Sequence, residues 1–180
     1  MKNIRKILFL CGIFILTAFS CEKNKNELPV DFKFRLLDEQ GNEKTVFNEG
    51  ENVIFSFVIE NKTSEDLCFY HHDMNTGDFF RLHKLNTSEG DLNLGKPYDC
   101  IFLEKIGWKS VPANGIFKIE IPWLWNENQI YAYIGCPHET YHSATFPLTK
   151  GDYKTAFSSS FKIGNIQTEE KHFEIKFSVK

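Results

Sequence analysis

The 180-residue chain has no apolar run of the about 20 residues that a membrane-crossing helix needs; its longest, Ile7 to Phe19, has 13. It has no Gly-x-Ser-x-Gly elbow, no phosphate-cradling glycine loop and no His-Glu-x-x-His pair, so the local signatures of serine hydrolases, nucleotide enzymes and zinc peptidases are missing. No segment has a convincing amphipathic-helix pattern, and no internal repeat stands out. An excess of positive charge is also absent: 21 Lys and Arg face 24 Asp and Glu. That balance argues against nucleic acid or an anionic membrane surface as a partner, because both select basic patches.

What is present begins at the N-terminus. Lys2, Arg5 and Lys6 form a basic head, the 13 apolar residues follow, and Ala18-Phe19-Ser20-Cys21 closes the segment. The length and the flank match a secretory signal rather than an anchor helix. The last four residues resemble the lipobox of bacterial lipoproteins, with Ala18 where Leu is usual and a large Phe19 before Ser20. The expectation is a signal peptide over residues 1–20, cleaved so that Cys21 carries covalent lipid such as palmitate. The alternative is an ordinary signal peptide, with Cys21 a structural cysteine. Cleavage leaves 18 basic against 24 acidic residues, a charge of −6. Residues 21–30, opening on Glu22 to Glu27 (EKNKNE), read as a polar tether reaching about 30 Å when extended. Residues 31–180 read as one domain.

The domain reads as all-β. Phe32, Phe34 and Leu36 alternate with polar residues, Asp38 to Asn42 has turn chemistry, and Val53, Phe55, Phe57 and Ile59 share a face of a longer strand. Further strands are expected at Leu67–Tyr70, Phe79–Leu85, Cys100–Lys105, Ile116–Ile121, Ile130–Ile134, Tyr153–Ile163 and His172–Val179, with Pro112 to Gly115 a turn. About nine strands separated by turn signals predict an antiparallel β-sandwich. The 18 Phe residues supply its core.

Leu148-x-x-Gly151-x-Tyr153 has the spacing of a tyrosine corner, in which the hydroxyl bonds to backbone a few residues upstream and pins a Greek-key crossover. The alternative is a chance Gly-x-Tyr turn. Thr155 stands where antibody domains have the second cysteine, so their inter-sheet disulfide is not expected. Glu49-Gly50-Glu51, Val53 to Ile59 and Asn61-Lys62-Thr63, together with the Leu148 to Tyr153 motif, resemble the intracellular proteinase inhibitor family and related lipoprotein domains. The resemblance implies an immunoglobulin-like Greek-key sandwich over about residues 45–165. The family name implies inhibition in the cytoplasm, whereas the signal segment implies the cell envelope.

Candidate site residues lie in loops. Cys68 falls mid-strand and reads as a small buried hydrophobe. Cys100 and Cys136 are the pair chosen for a disulfide. Cys136-x-His138-x3-His142 offers ligands suited to zinc or copper, with Asp73 as a further oxygen; the competing reading is exposed loop histidines beside a disulfide, and His71, His72 and His83 likewise fall in or beside loops. Pro122-Trp123-Leu124-Trp125-Asn126 could present Trp123 and Trp125 as a stacking platform, or use them to plug the open end of the sandwich. Trp108 reads as core. The expected role is non-enzymatic binding in the cell envelope, with the membrane reached through the lipid, an envelope protein or glycan as ligand, and no cofactor beyond the lipid on Cys21. Metal or redox handling through Cys136, His138 and His142, and protease inhibition, are the alternatives.

Overall fold

A computed structural model of the protein describes residues 28–70, 78–97, 108–124, 144 and 146–180. They form β-strands and, among the described residues, no helix, so none is long and apolar enough to cross a membrane. The strands are β1 (Val30–Leu37), β2 (Val46–Phe47), β3 (Ile54–Asn61), β4 (Leu67–Tyr70), β5 (Arg81–Thr87), β6 (Gly90–Gly95), β7 (Trp108–Val111), β8 (Ile116–Pro122), β9 (Gly151–Ser159), β10 (Lys162–Ile163), β11 (Ile166–Gln167) and β12 (Lys171–Val179). They build sheets in the orders β1-β3-β8, β2-β12-β9-β5-β6 and β11-β10-β4-β7. All pairings are antiparallel except β2 with β12.

The first two sheets face each other across the aromatic core. In β3, Phe55, Phe57 and Ile59 point inward and are fully buried, as their alternation predicts. Phe57 meets Phe157 of β9 and Phe173 of β12 edge-on, at 5.7 and 5.3 Å between ring centroids. Rings touch in an unbroken series, from Phe32 through Phe161, Phe57, Phe79, Phe80 and Phe55 to Trp123. Each such pair contributes about 0.5–1.5 kcal/mol beyond the area it buries. The other face of β3, with Ile54, Ser56 and Val58, is buried too. β3 is the middle strand, and the register sets Arg35 and Glu120 beside Ser56, and Lys33 and Lys118 beside Val58. The aliphatic stems of Lys33 and Lys118 cover this face while their ammonium ends lie at the surface, paired with Glu60 and Glu120.

Two asparagines bracket β3. At one end Asn52 pairs with the backbone of Leu124. At the other the Asn61 side chain donates to the carbonyls of Glu65, Val111 and Pro112 and accepts from the N–H of Thr63. A buried amide without such partners would cost about 1–3 kcal/mol.

Several expectations are corrected. The segment expected as one strand from Tyr153 to Ile163 ends at Ser159 and re-forms as the β10–β11 hairpin. Phe161 and Thr168 pair reciprocally there, backbone N–H to hydroxyl at 2.8 Å and N–H to carbonyl at 2.8 Å, and this turns the chain. The strand expected at Phe79–Leu85 starts at Arg81, after a turn closed by the Arg81 N–H on the Asp78 carbonyl. Trp108, expected in the core, is 58% exposed, because β7 turns Val111 inward and Trp108 outward. Cys68 is only half-buried and is a free thiol; Phe69 takes the inward position of β4, and Cys68 lies opposite Ser110. The strands expected at Cys100–Lys105 and Ile130–Ile134 lie outside the described residues.

Candidate functional site

The end of the sandwich where β3 begins and β8 finishes holds an apolar cleft of about 440 Å³. That is within the roughly 300–1,000 Å³ typical of small-ligand sites. Its floor is Trp123, just past β8, and Tyr153 of β9; β6 supplies Leu92 and Leu94, and the stretch before β9 supplies Phe146 and Leu148. Phe146 is 77% exposed and Leu92 50%, so two large apolar side chains meet water beside the same opening. Clustered exposure of this kind marks binding surfaces more than scattered single residues do.

Local chemistry fixes the floor. The Trp123 indole N–H donates to the carbonyl of Phe146 at 3.0 Å, and the Trp123 backbone N–H donates to the carbonyl of Val53 at 2.7 Å. The indole is thereby tied to the Phe146 side of the cleft, the backbone is tied to β3's approach, and the residue is 5% exposed. The Tyr153 hydroxyl donates to the carbonyl of Thr149 at 2.5 Å, the bond expected of the corner motif, and its ring stacks on Phe177 at 5.2 Å. Gly151 explains its place in that motif. Its φ is +150°, and a Cβ there would come within 2.7 Å of Lys84 Cε. The Lys84 stem therefore lies against bare backbone and carries its ammonium to the cleft, where Nζ donates to Thr149 Oγ1 at 2.7 Å and stands 5.6 Å from the centre of the Tyr153 ring.

Of the residues singled out from sequence, Trp123 is described and is not an exposed platform. It plugs the sandwich end, because its ring and its N–H both find partners inside. Trp125, Cys100, Cys136, His138, His142, His71, His72, Asp73 and Cys21 lie outside the described residues. Among the described residues no group of three or more His, Cys, Asp or Glu could hold a metal ion. Lys84, Leu92 and Phe146 were not anticipated. For Lys84 a signal existed: Phe80, Leu82 and Lys84 share one parity, so a lysine continues an apolar face.

A more open groove of about 550 Å³ lies at the opposite end, lined by Leu28, Val30, Phe32, Lys62, Lys171 and others. Its charges are engaged nearby. Lys62 pairs with Asp31 at 2.7 Å, and Lys171 Nζ stands 5.8 Å from the Phe32 ring centre. Seven steps of β3, at about 3.4 Å each, put roughly 24 Å between the two ends.

No family model and no curated protein matches the sequence. A solved β-glucosidase from Listeria innocua, crystallised with gluconolactone, aligns over 83% of this chain at 12% identity and a TM-score of 0.29. The chain spans only 16% of the length of that enzyme, and a likeness this faint carries nothing about fold or activity.

Proposed function

We propose that the protein is a lipid-anchored component of the cell envelope whose immunoglobulin-like domain binds an apolar ligand without transforming it. The observation that carries the reading is the cleft itself: exposed Phe146 and Leu92 over a floor of Trp123 and Tyr153. The immunoglobulin-like Greek key is supported by a three-strand sheet β1-β3-β8 opposite the order β2-β12-β9-β5-β6, by the parallel β2–β12 pair, and by the hydroxyl bond of Tyr153. The Gly50 turn and the Asn61 cap lie within the residues that resemble the intracellular proteinase inhibitor family, which supports the same layout.

The lipid anchor rests on the pattern ending at Ser20-Cys21. The described chain enters β1 at the end of the sandwich away from the cleft. Labelled palmitate should enter the full chain and not Cys21→Ala; a variant that still takes label or still sediments with membranes overturns the anchor. For the cleft, the chain from residue 21 onward carrying Cys21→Ser should enhance the fluorescence of the neutral probe N-phenyl-1-naphthylamine. The double change Leu92→Ser, Phe146→Ser should weaken that binding by about thirtyfold, given about 1 kcal/mol for each large apolar contact. Equal binding by both proteins would move the site elsewhere.

A further inference from the structure

We infer that the cleft selects small apolar molecules bearing a single carboxylate, with Lys84 as the residue that recognises the acid group. This deepens the binding role proposed above and rests on it. Among the described residues no carboxylate oxygen lies within 4.0 Å of Lys84 Nζ, whereas Lys33, Lys44, Lys62, Lys118 and Lys176 each have one. The ammonium instead sits at an apolar opening, with Thr149 Oγ1 taking one of its three N–H groups and the Tyr153 ring beside it.

The ammonium is also positioned before any ligand arrives. Its stem packs on the bare backbone of Gly151. Thr149, which accepts from it, is itself tied to Tyr153 through the corner hydroxyl. A cation held in this way loses little freedom when an anion joins it. The chemistry of a matching ligand follows. Its apolar body fits against Trp123, Leu92, Leu94 and Phe146, and its one anionic end meets Nζ at the rim. Apart from Lys84, Thr149 and the Tyr153 hydroxyl the lining side chains are apolar, which disfavours a polyhydroxylated sugar: each hydroxyl buried without a partner costs about 1–3 kcal/mol.

Calorimetric titration of the Cys21→Ser chain with 4-phenylbutyrate, the neutral 4-phenylbutyramide and the cationic 4-phenylbutylamine tests this directly. The acid should bind about tenfold more tightly than the amide, the difference expected when a charge-assisted hydrogen bond replaces a neutral one. The amine should bind most weakly. In Lys84→Met the advantage of the acid should fall to within about twofold while the amide keeps its affinity. Raising salt should weaken the acid and leave the amide unchanged, a measurement on unaltered Lys84 that stands even if the variant folds poorly. Equal binding of acid and amide, or a preference that survives Lys84→Met in a folded variant, overturns the inference. If N-phenyl-1-naphthylamine binds and no acid does, carboxylate selection fails and the cleft stands. If neither binds, both fail.

Discussion

Asn52 holds Leu124 by both of its backbone polar groups: Oδ1 accepts from the N–H at 2.9 Å and Nδ2 donates to the carbonyl at 2.7 Å. The side chain prolongs the β3–β8 ladder by one rung, just beyond the Trp123 N–H bond to Val53. The cleft floor therefore hangs on a buried amide that precedes its strand by two residues.

Asn52→Ala should cost about 2–4 kcal/mol, because both hydrogen bonds to Leu124 and a longer one to Glu39 go, and two backbone groups of Leu124 lose their partner. Urea unfolding followed by circular dichroism measures it. Asn52→Asp keeps the acceptor and lacks the donor, so it should remain below wild-type stability. A change under 0.5 kcal/mol in Asn52→Ala would show that the rung contributes nothing.

Tyr153→Phe should lower stability by about 1–2 kcal/mol at an unchanged urea dependence. The ring keeps its stack with Phe177, while the hydroxyl bond to the Thr149 carbonyl and the longer contact with Thr149 Oγ1 are lost. A wild-type unfolding midpoint in this variant would mean that the corner bond is incidental.

The two described tryptophans should respond oppositely to truncation. Trp108→Ala should stay within about 0.5 kcal/mol of wild type, since the ring is 58% exposed. Trp123→Ala should cost about 3–5 kcal/mol through the cavity it leaves and the indole bond it removes.

Acid should weaken the fold through Asp38 and Glu51. The backbone N–H of Asn42, foremost, holds the Asp38 carboxyl below its ordinary value of 3.8. The backbone N–H of Asn48 and then the Lys44 ammonium do the same for Glu51, below 4.5. A lowered native value means that the unfolded chain takes up the proton more readily, so this stability is fully present above about pH 4.5 and is lost as pH falls through the native values. The gap between wild type and Glu51→Gln should therefore be widest near pH 7 and narrow below pH 4.5. Unfolding midpoints across that range give the answer, and a gap independent of pH would contradict it.

Much of the fold was legible where a strand shows one clean face. In β12, Phe173, Ile175, Phe177 and Val179 alternate with polar residues, and the sheet follows. The Gly151 and Tyr153 spacing also gave its hydrogen bond in advance. What escaped was decided by distant partners. β2 is two residues held against the end of β12, and β10 and β11 exist because Thr168 meets Phe161. β7 has no apolar alternation, so Trp108, following Ile106-Gly107, read as core. The cleft was reached through Trp123 for a partly different reason. A loop tryptophan can be read as platform or plug, and the carbonyl of Phe146, 23 residues away, makes it a plug. Lys84 looked like an ordinary strand lysine until Gly151, from another strand, gave its stem a place to lie.

The unbroken series of rings from Phe32 to Trp123 has a consequence for motion. A benzyl ring that turns by 180° about its axis returns to the shape it left, whereas a leucine or methionine that changes rotamer leaves a different outline. A core built from such rings can fluctuate without altering the surface it presents. The floor of the cleft can keep its contour while the interior beneath it moves, and phenylalanine is well suited to be the abundant residue of a domain that has to hold an opening in shape.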